Sequence, residues 1–286
     1  MAAIFKGAEV VAALNEKMTA AVEGLKARGL CPTLAILRVG ERADDISYEK
    51  GAMKRCAAVG VEVRNVILPA DVEQETLMSA VEKLNRDASV HGVLIFRPLP
   101  KHLDEEAVRR ALAPEKDVDG ITDASLTGVF TGTNEGFAPC TAQAAMEILD
   151  HFHIDCTGKR AVVVGRSLVV GKPAAMMLLK KNATVTICHT RTADLPAVTR
   201  QADILVAAAG AMEAIGADCL SPGQVVIDVG IHWNDARGKL CGDVNFGEAE
   251  PLVAAITPVP GGVGTVTTSV LVSHVVEAAE RQGARA

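Results

Sequence analysis

Between Lys159 and Gly230 the chain alternates short apolar runs, glycine turns and helical segments, and this alternation restricts its fold more than any other feature. KRAVVVGRSLVVGKPAAMMLLKK is followed by ATVTICH, ADILVAAAG and QVVIDVG. Strands buried on both faces read as nearly continuous apolar runs, because helices cover the sheet on each side. Strand, glycine turn, helix and strand in succession is the grammar of a βαβ unit, and repeated it gives a doubly wound parallel sheet. The hydrophobic supply agrees. It is mostly Ala, Val, Leu and Ile, aromatics are only 3%, and 25 glycines serve the turns, a mixture that suits an α/β chain better than an aromatic-rich all-β core.

The upstream part follows the same rhythm. Val10, Val11, Leu14, Met18, Val22 and Leu25 recur at helical spacing, and Gly29 is placed to stop that helix. TLAILRVG reads as a buried strand, Asp45 to Gly60 as a helix and VEVRNVILP as a strand. Asp71 is the expected cap of the next helix, whose inner face carries Leu77, Val81 and Leu84. VHGVLIFRPLP reads as a strand stopped by two prolines, and DEEAVRRALAP as a short helix with acids in its first turn. From Glu115 to Cys140 the texture becomes rich in Gly, Thr and Asp, which reads as loop and marks a domain boundary. At 286 residues the chain has room for two modest domains or one large one.

Charge and cysteines narrow the class. A net charge of −6 gives no electrostatic reason to expect a nucleic acid or an anionic membrane, so a small-molecule ligand is the default. The N-terminal segment MAAIFKGAEVVAALNEK is amphipathic rather than a signal, and no apolar run approaches the roughly 20 residues of a membrane span. Seven cysteines, an odd number with no C-x-x-C, read as reduced thiols in a cytoplasmic protein. DHFHIDC resembles a metal set only superficially. On a helix His151 and His153 would diverge by about 200°, no zinc-like partner pair follows, and no metal is expected.

The turn AVVVGRSLVVGKP puts Gly165 at a strand end and Gly171 just before a helix. That arrangement lets backbone N–H groups approach a pyrophosphate at a helix N-terminus. It is not G-x-G-x-x-G, and the glycines alone fit a plain strand-to-helix turn equally well. The end of the next strand adds Thr190 and Arg191, with no acid before Asp194. Together with Arg166 this favours NADP, whose 2′-phosphate needs positive charge, over NAD; the alternative is that Arg191 is a solvated loop residue. In EKDVDG, Asp117 and Asp119 would share one face of an extended segment. A carboxylate there suits the donor edge of an amino-pyrimidine ring, although acidic turns are also commonly just solvated.

KDVDG, VVVGRSLVVGKPAA, ATVTICHTRT, ADILVAAAG, VVIDVG and ITPVPGGVG occur in this order along the chain. Together they resemble the methylenetetrahydrofolate dehydrogenase/methenyltetrahydrofolate cyclohydrolase family, essentially over the whole length. The resemblance implies two α/β domains around a cleft, the second a Rossmann-like doubly wound parallel sheet. Residues 1–139 plus 268–286 would form the folate-binding domain, and 140–267 the NADP-binding domain of a homodimer. It implies NADP near Gly165, Arg166, Ser167, Thr190, Arg191 and Ile231. It places a tetrahydrofolate derivative against Tyr48, Phe96, Arg97 and Asp119, with Tyr48 and Asp119 in catalytic positions, and against Pro260, Gly261, Gly262, Val263 and Gly264.

The departures from the family pattern cluster on the folate side. The family has Tyr-x-x-x-Lys, and the lysine position here is Ala52. Its QLPLP strand motif reads Phe96-Arg97-Pro98-Leu99-Pro100, so the glutamine that partners the lysine is Phe96. Ala142 and Ala144 alter PCTPxG, Thr265 and Val266 alter GGVGPMT, and the segment from Gly120 to Gly128 is either one residue longer or has its closing glycine shifted. At about 100° per helical residue, Lys50 and Lys54 point away from Tyr48, and Arg55 returns to its face only about 10 Å along the axis. Arginine is also a poor proton shuttle. The expectation is therefore dehydrogenase activity with weak or absent cyclohydrolase activity. A bifunctional enzyme with rearranged groups, an altered one-carbon substrate and an NADP-binding pseudoenzyme are the alternatives.

Overall fold

The computed structural model describes residues 1–133 and 135–284. The chain divides into two compact units, one of Met1–Ala12 with Thr141–Thr267, the other of Ala13–Cys140 with Thr268–Ala286. The sequence reading assigned residues 1–139 to one domain, but the first twelve residues belong with Thr141–Thr267. The reason is pairing: Ala3–Ile4 runs parallel to Ala255–Ile256 and becomes the edge of that unit's sheet.

That sheet has six parallel strands in the order Ala3–Ile4, Ala255–Ile256, Val225–Asp228, Ile204–Ala207, Arg160–Val164 and Thr184–Cys188. Arg160–Val164 is flanked on one side by the next strand in the chain and on the other by the strand after that. The winding reverses there, and open α/β sheets hold ligands beyond the carboxyl ends of strands at such a point. Gly165 is the first residue past that end. An antiparallel ribbon, His232–Asn234 with Lys239–Cys241, is added after Val225–Asp228; the apolar pattern did not announce it, because Asn234, Asp235 and Gly238 read as loop.

The other unit holds a three-stranded parallel sheet in the order Glu62–Leu68, Thr33–Val39 and Gly92–Ile95. Every residue of the central strand is buried, as its unbroken apolar run required. The apolar stripe of Gln74–Arg86 supplies Leu77, Val81 and Leu84 to the same core. Here too the winding reverses at the central strand, and Gly40 and Phe96 are the first residues past the carboxyl ends of Thr33–Val39 and Gly92–Ile95.

Local corrections have identifiable causes. The Gln74–Arg86 helix begins after Glu73, not Asp71, and has no side-chain cap; Pro69 and Asp71 instead form a turn in which Val72 N donates to Pro69 O. The segment expected to be loop contains the helix Asp123–Thr131, started by Thr122 accepting from Ser125 N and ended by Gly132 in the left-handed region at φ 71°. Its Thr, Ser and Gly content hid it from propensity, and two caps and buried anchors compensate. Among the described residues no helix is long and apolar enough to cross a membrane, and no acidic, His or Cys cluster could hold a metal ion.

Candidate active site

In the three-stranded unit the site is assembled from one helix, one strand end and one acidic loop. The helix Ala43–Val59 buries Asp45, Glu49, Ala52, Cys56 and Val59, a stripe at helical spacing, and stops at Gly60 with φ 83°. Tyr48 lies at the edge of that stripe, about a third exposed (37%), whereas Lys50 and Lys54 lie on the solvent side. Ala52, one turn beyond Tyr48, is fully buried. A buried ion pair holds the helix: Arg38 Nε donates to Glu49 Oε2 at 2.7 Å, and Asn65 donates to the other carboxylate oxygen at 2.8 Å. Arg38 also donates to Gly40 O, at the end of the central strand. This polar clamp was not singled out by the sequence; Arg38 sits within an apolar run and its partner is eleven residues away.

Phe96 continues the central pairing for one residue, its N–H donating to Leu37 O at 3.1 Å. Its ring meets Tyr48 edge to face, with centroids 5.8 Å apart and planes at 85°. Arg97 then opens a turn through a cis peptide to Pro98. Glu105 straps this turn. Its Oε2 accepts from Leu99 N at 2.9 Å and its Oε1 lies 3.7 Å from Arg97 Nη1.

The acidic loop separates its two carboxylates by role. Asp117 is fully buried and accepts from Ile121 N (2.9 Å), Thr122 N (2.7 Å) and Ser125 Oγ (2.6 Å). It is an anchor for the Asp123–Thr131 helix. Lys116 is likewise spent on structure, donating to Leu84 O and Asp87 O at 2.8 and 2.7 Å. Gly120, at φ 70°, fits because a Cβ there would come within 2.5 Å of Pro139 N. These constraints leave Asp119 beside Arg97, with Oδ2 4.0 Å from Nη2. Burial is the main cause that pushes the Asp119 carboxyl up to about 6, with the Arg97 charge opposing it. The Tyr48 phenol is also raised, first by burial, then by Cys140 and Asp119; a hydrogen bond with Thr268 opposes the rise. Cys140, whose thiol donates to Val118 O at 3.3 Å, Thr268 and Glu105 are neighbours of the site that residue patterns did not reveal.

In the six-stranded unit Gly165 takes φ 139°, and a Cβ would come within 2.1 Å of Ala208 O. A Cβ on Gly171 would meet Gly165 O at 2.2 Å, so both glycines are fixed by close backbone approach. Ser167 Oγ accepts from Val170 N at 3.1 Å and closes the turn into the Gly171–Lys180 helix. Arg166 and Ser167 are exposed beside it. At the adjacent strand end Thr190 and Arg191 are exposed, and His189 shapes their turn: its Nδ1 accepts from Arg191 N and its N–H donates to Thr192 Oγ1. Asp194, the first acid after the strand, accepts from Ala197 N and caps the following short helix.

Ile231, 63% exposed, shares a cavity of about 250 Å³ with the Pro258–Thr265 segment. Within that loop Pro260, Gly261 and Gly264 are exposed, whereas Gly262 and Val263 are buried. Gly262 is required by space, since a Cβ would lie 2.5 Å from Pro258 O. Tyr48, Phe96, Arg97 and Asp119 are thus brought together in one unit. Gly165, Arg166 and Ser167, the Thr190–Arg191 turn, and Ile231 with the 260–264 loop lie in the other.

Comparison with known proteins gives a consistent likeness over the full length. Residues 5–119 match the model of the tetrahydrofolate dehydrogenase/cyclohydrolase catalytic domain, and residues 139–283 that of the NAD(P)-binding domain. The bifunctional protein FolD of Carboxydothermus hydrogenoformans is 51% identical over 281 residues, covering 98% of each chain. The crystal structure of bifunctional FolD from Campylobacter jejuni superposes with a TM-score of 0.95 at 36% identity, covering 98% of this chain and 99% of that one. The Trypanosoma brucei enzyme, solved with NADP cofactor and inhibitor, gives 0.91 at 36% identity over 100% and 99% of the two chains.

Proposed function

This chain belongs to the tetrahydrofolate dehydrogenase/cyclohydrolase family, and from that premise we propose that it oxidises 5,10-methylenetetrahydrofolate to 5,10-methenyltetrahydrofolate with NADP while hydrolysing the product weakly or not at all. The observation that carries this reading is the pair of apolar groups at Ala52 and Phe96 beside Tyr48. Ala52 is fully buried, and Phe96 meets the Tyr48 ring edge to face. A cyclohydrolase must activate water and shuttle protons, which needs a titratable group whose pKa lies near the working pH. Neither a methyl group nor a phenyl ring offers one, and the raised carboxyl of Asp119 is taken up by the pterin. Lys50 and Lys54 lie on the solvent side of the helix, and the guanidinium of Arg97 is a poor proton shuttle.

Dehydrogenation asks less of side chains. NADP, when bound, supplies the hydride acceptor, and the protein's part is alignment and exclusion of water. The residues present fit that cofactor. Gly165 and Gly171 give the close backbone approach at a helix N-terminus, and exposed Arg166 and Arg191 offer charge to a 2′-phosphate. Asp194 is occupied as a helix cap and does not compete as a ribose-binding acid. On the folate side Asp119 accepts from the amino and ring N–H groups of the pterin, and Tyr48 and Phe96 give its faces an aromatic wall. Ile231 and the exposed part of the 260–264 loop flank the nicotinamide.

A bifunctional enzyme is the second reading, favoured by the description of the Carboxydothermus relative as bifunctional at 51% identity. One assay separates the two. The purified protein is given methylenetetrahydrofolate with NADP or NAD, and reduced cofactor and methenyl product are followed independently. NADPH formation with accumulating methenyltetrahydrofolate is the expected result. Hydrolysis of methenyltetrahydrofolate well above the uncatalysed rate overturns the monofunctional reading, and NADP binding without any reduction overturns the dehydrogenase reading.

A further inference from the structure

Arg97 leaves the Gly92–Ile95 strand with a buried Nε that has no hydrogen-bond partner among the described residues. Its outer nitrogens are only loosely engaged, with Nη1 3.7 Å from Glu105 Oε1 and Nη2 4.0 Å from Asp119 Oδ2. Both separations exceed hydrogen-bond length. A buried donor without a partner calls for an explanation. The side chain is also positioned by more than chance. Glu105 straps the turn that follows it through Leu99 N. The result is a fork of donors that never becomes an acceptor, set beside the carboxylate of Asp119, which when ionised is only an acceptor.

A donor fork next to an acceptor matches a ring edge with the opposite order. A 2-amino-4-oxopteridine has such an edge: an amino group and a ring N–H, then a carbonyl oxygen. Resting on the functional reading above, we propose that Arg97 is a specificity-determining residue, its guanidinium donating to the 4-oxo oxygen of the ring whose amino and N–H groups Asp119 accepts. A 4-amino ring places a donor where Arg97 needs an acceptor. Sites built around a substrate's hydrogen-bonding group reject analogues that lack it more strongly than apolar pockets reject a change in size.

Equilibrium binding of tetrahydrofolate and of its 4-amino-4-deoxy counterpart, tetrahydroaminopterin, tests this on the wild type, Arg97→Met and Arg97→Lys. The analogue also alters the ring nitrogen facing Asp119, so the readout is how the affinity ratio changes between variants, as in a double-mutant cycle. Arg97→Met lowers the preference for the 4-oxo ring by about ten- to a hundredfold, the span of one hydrogen bond to a charged donor. Arg97→Lys lowers it less, since the charge remains but the fork is lost, and it serves as the test if the Met variant does not fold. Ratios within about twofold of wild type in the folded variants overturn the assignment. Turnover of methylenetetrahydrofolate by the wild type separates the two failures. With turnover and an unchanged ratio only the role of Arg97 falls; with neither turnover nor binding of either folate, the functional reading falls and takes this one with it.

Discussion

Tyr48 and Phe96 meet edge to face at 5.8 Å, and Ala52, one helical turn past Tyr48, is fully buried. The positions where the family pattern has a base and its polar partner carry a methyl group and a phenyl ring. Ala52→Lys therefore leaves methenyltetrahydrofolate hydrolysis close to background, because the new ammonium enters a buried position without an acceptor. It also lowers stability by about 1–3 kcal/mol, read as a fall in melting temperature. The double change Ala52→Lys with Phe96→Gln recovers more hydrolysis than the single one. Strong rescue by Ala52→Lys alone would show that the aromatic contact is not what excludes the reaction.

On the proposed function, Asp119 is expected to set the acid limb of the dehydrogenase. Its carboxyl is pushed up to about 6 by burial, from 3.8. As a group with a raised folded pKa, its contribution to stability is full below about pH 4 and is lost as pH rises through about 6. Folate recognition runs the other way, because the carboxylate is the form that accepts two hydrogen bonds. kcat/KM for methylenetetrahydrofolate accordingly falls as pH drops below about 6. Arg97→Met shifts this limb to higher pH, since the arginine's charge favours the ionised form. Asp119→Asn flattens the limb and lowers kcat/KM by about ten- to a hundredfold. A pH–rate profile of the three proteins checks both the position and the direction.

The Arg38–Glu49 pair carries the helix that presents Tyr48. Both side chains are more than nine-tenths buried. Glu49→Ala leaves a buried guanidinium uncompensated and costs about 3–5 kcal/mol. Replacing both partners, Arg38→Leu with Glu49→Val, costs much less because no charge is stranded. Denaturant melts of the single and double variants measure the difference; equal losses would mean that the pair is not what anchors the helix.

Arg191 is exposed at the end of Thr184–Cys188. Arg191→Ser raises KM for NADP by about tenfold, the value of one charge-assisted hydrogen bond to phosphate, and leaves KM for NAD within about twofold. Steady-state kinetics with both cofactors decide it. Parallel losses for NADP and NAD would place Arg191 outside 2′-phosphate recognition.

The order of apolar runs and glycines determined the architecture. Fully buried parallel strands must be apolar throughout, and the turns at Gly165 and Gly171 tolerate no side chain. For the same reason the helix Ala43–Val59 was legible, with the direction of Lys50, Ala52 and Lys54 around it: helical phase is fixed by covalent geometry. The tertiary structure decided what depends on partners distant in sequence. It took residues 1–12 into the six-stranded unit, because a two-residue strand acquires meaning only from the Ala255–Ile256 edge it pairs with. It separated Asp117 from Asp119, which look alike in sequence, by turning three donors onto the first and setting the second beside Arg97. It also made Glu105 the strap of the Arg97 turn and Glu49 the partner of Arg38. A carboxylate's role is set by the donors and the water around it, and those are assembled only when the chain has folded.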